Sequence, residues 1–348
     1  NEGLVLPAAI ELDLSFQLQK NGTRSQIHLF SESMGKSMEA DLGNLTAPPA
    51  GWERYIYGVL SELSGFADRL KGFDGVLTSR LPAGAGLSSS AALECGLAYG
   101  LNTLFSLNID RMELIRIAQQ AEIKYSGTQC GIMDQFASMM GKKGQFIFLD
   151  CRTLEYQYIP ARLDGYRLLL INSGVTHSLS ESAYNQRREE CRQGVSVLRR
   201  KFPQIRSLRD TSPEQLEAVR HKMTEPVACR CQYVIEENAR VLEAVEALLN
   251  SDVQRLGKLL YETHEGLRHL YQVSCPELDF LVDTARSLPD VAGSRMMGGG
   301  FGGCTLNLVR EQGISGVISR LMAAYRSRFG REAEPLEAGL GDGVRLLP

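Results

Sequence analysis

The stretch Pro82-Ala83-Gly84-Ala85-Gly86-Leu87-Ser88-Ser89-Ser90-Ala91-Ala92 sets two glycines and three consecutive serines directly before an apolar run with helical spacing. That arrangement suits an anion. Glycine lets the main chain approach a phosphate and adopt φ > 0, a helix start presents unpaired N–H groups at the positive end of its dipole, and serine hydroxyls donate to phosphate or ligate Mg2+. A flexible glycine loop with a serine N-cap is the plainer reading, but it accounts for one serine and not for three in a row. Two other glycine patterns fail on context. Gly35-Lys36-Ser37 supplies the end of a Walker A loop, yet the glycine required five positions earlier is Phe30. Gly298-Gly299-Gly300-Phe301-Gly302-Gly303 satisfies G-x-G-x-x-G, but a dinucleotide fingerprint opens a helix, whereas residues 304–309 (CTLNLV) alternate like a strand. Five glycines in six residues fit instead a place where two backbones and a ligand pack closely.

Two carboxylates stand out by position. Glu122 falls on the apolar stripe Leu114, Ile117, Ala118, Ala121 and Tyr125 of a helix that Asp110 and Glu113 open in capping-box spacing. A carboxylate there needs a metal or a polar partner, unless it reaches solvent at the stripe edge. Asp134 follows Gly131 by three residues, and by residue pattern alone it reads as the N-cap of the apolar run at 136–140 before it reads as a catalytic group. Cys229 and Cys231 form a C-x-C pair on a helical stretch without a second Cys/His pair nearby, a pattern of ordinary helix cysteines rather than a metal site. His177, in Thr176-His177-Ser178, reads as a surface or hinge residue rather than a base.

These groups need elements to hold them. Residues 3–31 alternate as strands around a Lys20-Asn21-Gly22 turn of the hairpin type. Residues 75–81 form a short strand broken by Pro82, and residues 91–105 carry helical spacing through Leu93, Leu97, Leu101 and Leu104, so the serine loop joins a strand to a helix. Strand-like segments at 146–150 and 167–173 precede helical stretches at 182–202 and 228–287, and a strand at 305–309 and a helix at 315–329 come after them. This order predicts an α+β chain in two domains, 1–160 and 161–348. At 348 residues and 43% hydrophobic content the chain is long enough for two cores. Its 38 basic and 41 acidic residues leave a formal charge of −3, too small a field to draw nucleic acid or an acidic membrane, and a small-molecule partner fits better. Eight scattered cysteines match a reduced cytosolic protein more than a disulfide scaffold, and no signal peptide or spanning segment is read from the sequence.

The serine loop and the glycine cluster resemble the second and third motifs of the GHMP kinases, a superfamily of small-molecule kinases. Three further stretches, Cys130-Gly131-Ile132-Met133-Asp134-Gln135, Ser182-Ala183-Tyr184-Asn185-Gln186-Arg187-Arg188 and Ser274-Cys275-Pro276-Glu277-Leu278-Asp279, together with residues 293–304 (GSRMMGGGFGGC), narrow the resemblance to the branch that phosphorylates galactose. It implies a two-domain fold, an N-terminal domain like the second domain of a small-subunit ribosomal protein and a ferredoxin-like, helix-rich C-terminal domain. It implies transfer of the ATP γ-phosphoryl to the anomeric hydroxyl of galactose. By the same resemblance Ala83, Gly84, Ala85, Gly86, Leu87, Ser88 and Ser89 wrap the ATP phosphates, Ser89 and Glu122 ligate Mg2+, and Asp134 is the catalytic carboxylate. Gly131, Asp134 and Tyr184 contact the sugar, a tyrosine ring being able to stack on an apolar sugar face while its hydroxyl bonds. Trp52 and Tyr55 flank adenine, with helix core packing as the plainer reading. The implied partners are galactose and ATP, with no nucleic acid and no membrane, for a monomeric cytoplasmic enzyme.

The sequence departs from that pattern twice. The superfamily branch carries an arginine and then a Glu-His-x-Asp-Tyr run just before the segment that here begins at Asn1, and no Glu-His pair followed by Asp occurs before residue 100, so the resemblance leads to the expectation that residues precede Asn1. Met297 stands where threonine is common before the triple glycine, which removes a hydroxyl near the substrate. Three rival readings remain at this level: a sensor of the same branch that binds ATP and sugar without turnover, a kinase for another sugar such as N-acetylgalactosamine, and a plain binding module. Ser90-Ala91 speaks against the sensor, because the sensor type lacks that dipeptide.

Overall fold

The computed structural model describes every residue except 46–50, 67, 83, 176–179 and 348, and leaves the side chains of 180–182 undescribed as well. The chain forms two compact units that interleave along the sequence. The first comprises Asn1–Pro7, Gly84–Leu87 and Gly144–Gly339, and the second Ala8–Ala83, Ser88–Lys143 and Leu340–Pro348. The boundary expected near residue 160 therefore falls inside the first unit. There β1 (Leu4–Val5), β6 (Gln145–Asp150) and β7 (Tyr156–Pro160) make one three-stranded sheet, and Phe146, Phe148 and Ile159 of the segment at 145–160 pack with Ala247, Leu248 and Leu308 of the same unit.

In the second unit β2 (Leu14–Lys20), β3 (Gln26–Ser31), β4 (Lys36–Asp41) and β5 (Phe73–Ser79) form a four-stranded sheet in the order β2-β5-β3-β4. Its strands alternate as a half-buried sheet requires, Ile27 and Leu29 inward and His28 and Phe30 outward. Helices α1 (Glu53–Glu62), α2 (Ser89–Leu104), α3 (Arg111–Ser126) and α4 (Met133–Met140) complete the unit. Small residues set the close approaches: a side chain on Gly100 of α2 would meet Leu18 at 2.7 Å, and one on Gly58 of α1 would meet Ala121 of α3 at 2.9 Å.

The hairpin expected around Lys20-Asn21-Gly22 does not form. β2 and β3 both pair with β5, one antiparallel and one parallel, and the connection wraps the start of β5. Asn21 holds the connection in place, its Nδ2 donating to Asp74 Oδ1 at 2.9 Å and to Gln26 O at 3.0 Å, while Gly72 leaves room for Thr23, whose Oγ1 lies 2.0 Å from where a Cβ would stand. The hairpin in this sheet joins β3 to β4 instead. Gly35 accordingly lies in the turn before β4, and Lys36 and Ser37 begin that strand, outside any phosphate-loop context.

The first unit also holds β8 (Tyr166–Asn172), β9 (Val291–Met296), β10 (Cys304–Arg310) and β11 (Glu334–Glu337), ordered β11-β8-β10-β9 and antiparallel throughout. Its helices are α5 (Ser180–Lys201), α6 (Pro213–Glu217), α7 (Glu225–Leu249), α8 (Val253–Glu265), α9 (Pro276–Arg286) and α10 (Ile314–Phe329), with a π-helical turn, Gly266–Tyr271, continuing α8. One core lies between the sheet and α9 and α10, around Leu169, Ile171, Leu281, Val309, Leu321 and Tyr325. Another joins α5 to α7, where Cys231 sits 2.1 Å from the Cβ position of Gly194. Cys229 and Cys231 are both free thiols on α7. No helix among the described residues is long and apolar enough to cross a membrane.

Candidate functional site

In the second unit α2 begins with an exceptional turn. Ser88, its N-cap, has φ +53, a left-handed conformation that non-glycine residues adopt at a cost and that recurs at functional positions, and its side chain does not cap the helix. The first main-chain N–H groups of a sixteen-residue helix are thereby left without a side-chain acceptor. The Ser88 hydroxyl instead acts on Asp134, lowering its carboxyl against the effect of burial. Ser90, two residues along the chain, donates from Oγ to Glu122 Oε1 at 3.0 Å. Ser89 begins the helix and is partly exposed.

Glu122 is held on both oxygens, since Gln135 Nε2 donates to its Oε2 at 2.5 Å. The same Gln135 Nε2 lies 3.5 Å from Oε2 of Glu94, a carboxylate with no solvent exposure at all. Glu94 Oε1 and Gln135 Oε1 are buried and find no partner among the described residues. Burial, and then the neighbouring charge of Glu122, push the Glu94 carboxyl up to about 10, so at neutral pH it carries its proton. Burial also raises Glu122, against the hydrogen bond from Ser90. Asp134 stands at the second position of α4, not at its N-cap, which is Ile132. The capping role read from the sequence is thus not the one Asp134 plays. Burial raises its carboxyl too, with the Ser88 hydrogen bond working the other way. Three carboxylates therefore share one end of the unit with hydroxyl and amide partners only, and none forms an ion pair among the described residues. Gly131, just before α4, is exposed, with open space where a side chain would be.

Asp110 caps α3 as expected, its Oδ1 accepting from Glu113 N at 2.9 Å, but Glu113 turns to Arg116 instead of closing the box. Trp52 occupies the position before α1, and its indole Nε1 is shielded from solvent with no acceptor among the described residues. Tyr55 is engaged by Arg54, which donates to its hydroxyl at 3.0 Å and lies 5.0 Å over its ring.

In the first unit the loop Gly84–Leu87 meets the glycine cluster backbone to backbone. A Cβ on Gly303 would lie 3.0 Å from Ala85 O, and one on Gly298 would lie 3.0 Å from Gly86 O. The cluster links β9 to β10, strand to strand, which confirms that it is no dinucleotide fingerprint. Met297 starts it, its N–H bound to Cys304 O at 3.0 Å. Tyr184 on α5 reaches this cluster, with Cδ2 3.7 Å from the Cβ position of Gly299. Ala83 and His177 lie outside the described residues.

Sequence reasoning missed Glu94 and Gln135. The signal was present: Glu94 lies four residues after Ser90 and precedes Leu97 and Leu101 on the buried face of α2, the same logic that singles out Glu122.

Residues 54–142 match the family model of the GHMP kinases N terminal domain, and residues 244–326 that of the GHMP kinases C terminal domain. The chain is 40% identical over 348 residues to a galactokinase of Thermotoga maritima, covering 100% of this chain and 95% of that protein. It is 38% identical over 344 residues to a galactokinase of Roseiflexus sp., covering 99% and 88%. The crystal structure of Lactococcus lactis galactokinase complexed with galactose matches with a TM-score of 0.93 at 32% identity, over 99% of this chain and 89% of that one. Methanococcus jannaschii mevalonate kinase shares the fold, with a TM-score of 0.70 at 16% identity over 98% and 92% of the two chains.

Proposed function

Because the chain belongs to the galactokinase family of the GHMP kinases, we propose that it transfers the γ-phosphoryl group of ATP to the anomeric hydroxyl of galactose, giving galactose 1-phosphate and ADP. The observation that carries this reading is identity of 40% along the whole chain to curated galactokinases. The unpaired carboxylates beside the serine-rich helix start support the chemistry.

The loop from Ala83 to Ser89 holds the phosphates: glycines bring main chain close, and the uncapped first turn of α2 offers its N–H groups. Asp134 faces the acceptor hydroxyl, whose proton it takes or orients as the oxygen attacks phosphorus and the bond to ADP breaks. A carboxyl raised by burial is a better proton acceptor than an ordinary aspartate. Gly131 and Tyr184 contact the sugar, and Trp52 the adenine, a role that suits its unpartnered indole N–H.

Ser89 and Glu122 are the protein donors proposed for Mg2+, and their hard oxygens fit that ion. Mg2+ in phosphoryl-transfer sites is held through one or two protein donors together with the nucleotide phosphates. When bound, the ion neutralises phosphate charge. Ser90 and Gln135 fix the orientation of Glu122. Eight free thiols support the cytoplasm as the compartment.

The test is ATP consumption by the full-length protein with galactose, glucose and N-acetylgalactosamine, beside Asp134→Ala. Turnover is expected with galactose and is lost in the variant. Turnover absent with all three sugars, or unchanged by Asp134→Ala, would sink the assignment.

A further inference from the structure

Tyr184, Arg187 and Glu190 are spaced at intervals of three residues on α5, so neighbouring members lie on adjoining turns of one helix face. The Glu190 carboxylate accepts from Arg187 Nη1 at 3.3 and 3.1 Å and from Nε of Arg230, on α7, at 3.0 Å. These are interior charges: the side chains of Arg187 and Arg230 are 12% and 3% exposed. Both guanidiniums then reach the exit of the π-helical turn Gly266–Tyr271. Arg230 donates to Leu270 O and, at 2.7 Å, to Gln272 Oε1, while Arg187 donates to Tyr271 O at 2.8 Å and to Gln272 O at 3.1 Å. Three successive carbonyls that a helix end leaves without partners are filled by charged donors.

The chain leaves this turn through Gln272, at φ +55, and arrives at Val273. The Val273 N–H returns to Leu267 O at 3.0 Å, and its carbonyl accepts from Phe301 N at 2.7 Å, inside the glycine cluster. A Cβ on Gly300 would stand 2.1 Å from that carbonyl, so only glycine permits the approach. Two neighbours of the cluster, Val273 beside Phe301 and Tyr184 beside Gly299, are thus mounted on the same pair of arginines and one glutamate. A buried carboxylate with two guanidiniums is a costly way to gain stability, which apolar packing supplies at least as well. What it adds is a fixed, bidentate geometry.

We propose that Arg187, Glu190 and Arg230 are positioning residues for the sugar side of the site, setting Tyr184 against the glycine cluster through the turn Gly266–Tyr271 and Val273. This rests on the reading of Tyr184 as a sugar contact. The experiment compares full-length wild type with Arg187→Met, Arg187→Lys and Glu190→Gln, measuring KM for galactose, KM for ATP, kcat and Tm. In Arg187→Met the KM for galactose is expected to rise about 10-fold or more while the KM for ATP stays within about 2-fold, and Arg187→Lys, which keeps the charge but not the fork, falls between. Glu190→Gln keeps size and both arginines, and carries the same split should Arg187→Met fail to fold. Both KM values unchanged in the variants that fold, or both raised in step with a fall in Tm, would mean a frame that serves only the fold, and overturns the proposal. Wild type without galactose turnover overturns the functional reading first, and this proposal with it; a normal wild type without the split overturns this proposal alone.

Discussion

Asp150 and Asp210 of the first unit each face an arginine, Arg209 and Arg152 respectively, and those guanidiniums hold both carboxyls well below the usual aspartate range. Glu94, Glu122 and Asp134 of the second unit face hydroxyls, an amide and one another, and burial moves all three upward. The same chemical group is thus held in opposite ways. The paired carboxylates stabilise a connection: Arg152 also donates to Glu2 Oε2 at 2.7 Å, and the network ties the N-terminal strand to the segments at 150 and 207–210. The unpaired ones stabilise nothing as they stand. A buried carboxyl without a cation is a cost to folding when it ionises, and clustering of such groups marks a candidate functional site.

That contrast can be broken from either side. A loss of stability is expected from Arg209→Met, which leaves Asp150 without its partner. Allowing for the partial exposure of the pair, it should cost about 2 kcal/mol in thermal or urea unfolding, with kcat unchanged. The sign of its pH dependence comes from the depressed carboxyl. The pair contributes stability above the unfolded aspartate value of 3.8, and wild type loses it as pH falls through the lower folded value; Arg209→Met should lose less on acidification.

The second effect has the opposite sign. Glu94 is raised, from 4.5 to about 10, so its contribution is fully present below pH 4.5 and is lost as pH climbs toward 10. Glu94→Gln keeps the shape of the protonated acid and cannot ionise. Its Tm should match wild type near pH 5 and exceed it by a margin that widens toward pH 9. A constant or shrinking margin across that range would remove the idea of a neutral Glu94.

Much of this is legible in the sequence, and what is not has a common cause. Local chemistry reads well: two glycines and three serines before an apolar run announce the uncapped helix start, and the strand after the glycine cluster rules out a dinucleotide site. Glu122 stands out because it interrupts an apolar stripe. Glu94 interrupts the adjoining stripe on α2 and escapes notice among leucines, although its burial is the more complete. Asp134 draws attention through its motif, but its spacing suggests a cap that Ile132 occupies, an offset of two residues that spacing alone does not resolve. The hairpin at Asn21 fails for a different reason. β5 lies more than forty residues further along the chain and inserts between β2 and β3, and nothing local to the turn records a strand that arrives so late. Interleaving of the two units escapes the sequence in the same way, since it depends on Leu4 and Val5 pairing with β6.

The central claim is that an unpaired carboxylate in the second unit does the chemistry, and the pH dependence of kcat in wild type and Asp134→Asn tests it most directly. The account predicts that wild-type kcat falls on the acid side along a limb lying above 3.8, the ordinary aspartate value, and that Asp134→Asn is slower by roughly 10³-fold with that limb gone. An Asp134→Asn enzyme that keeps both the wild-type rate and the wild-type acid limb would contradict it.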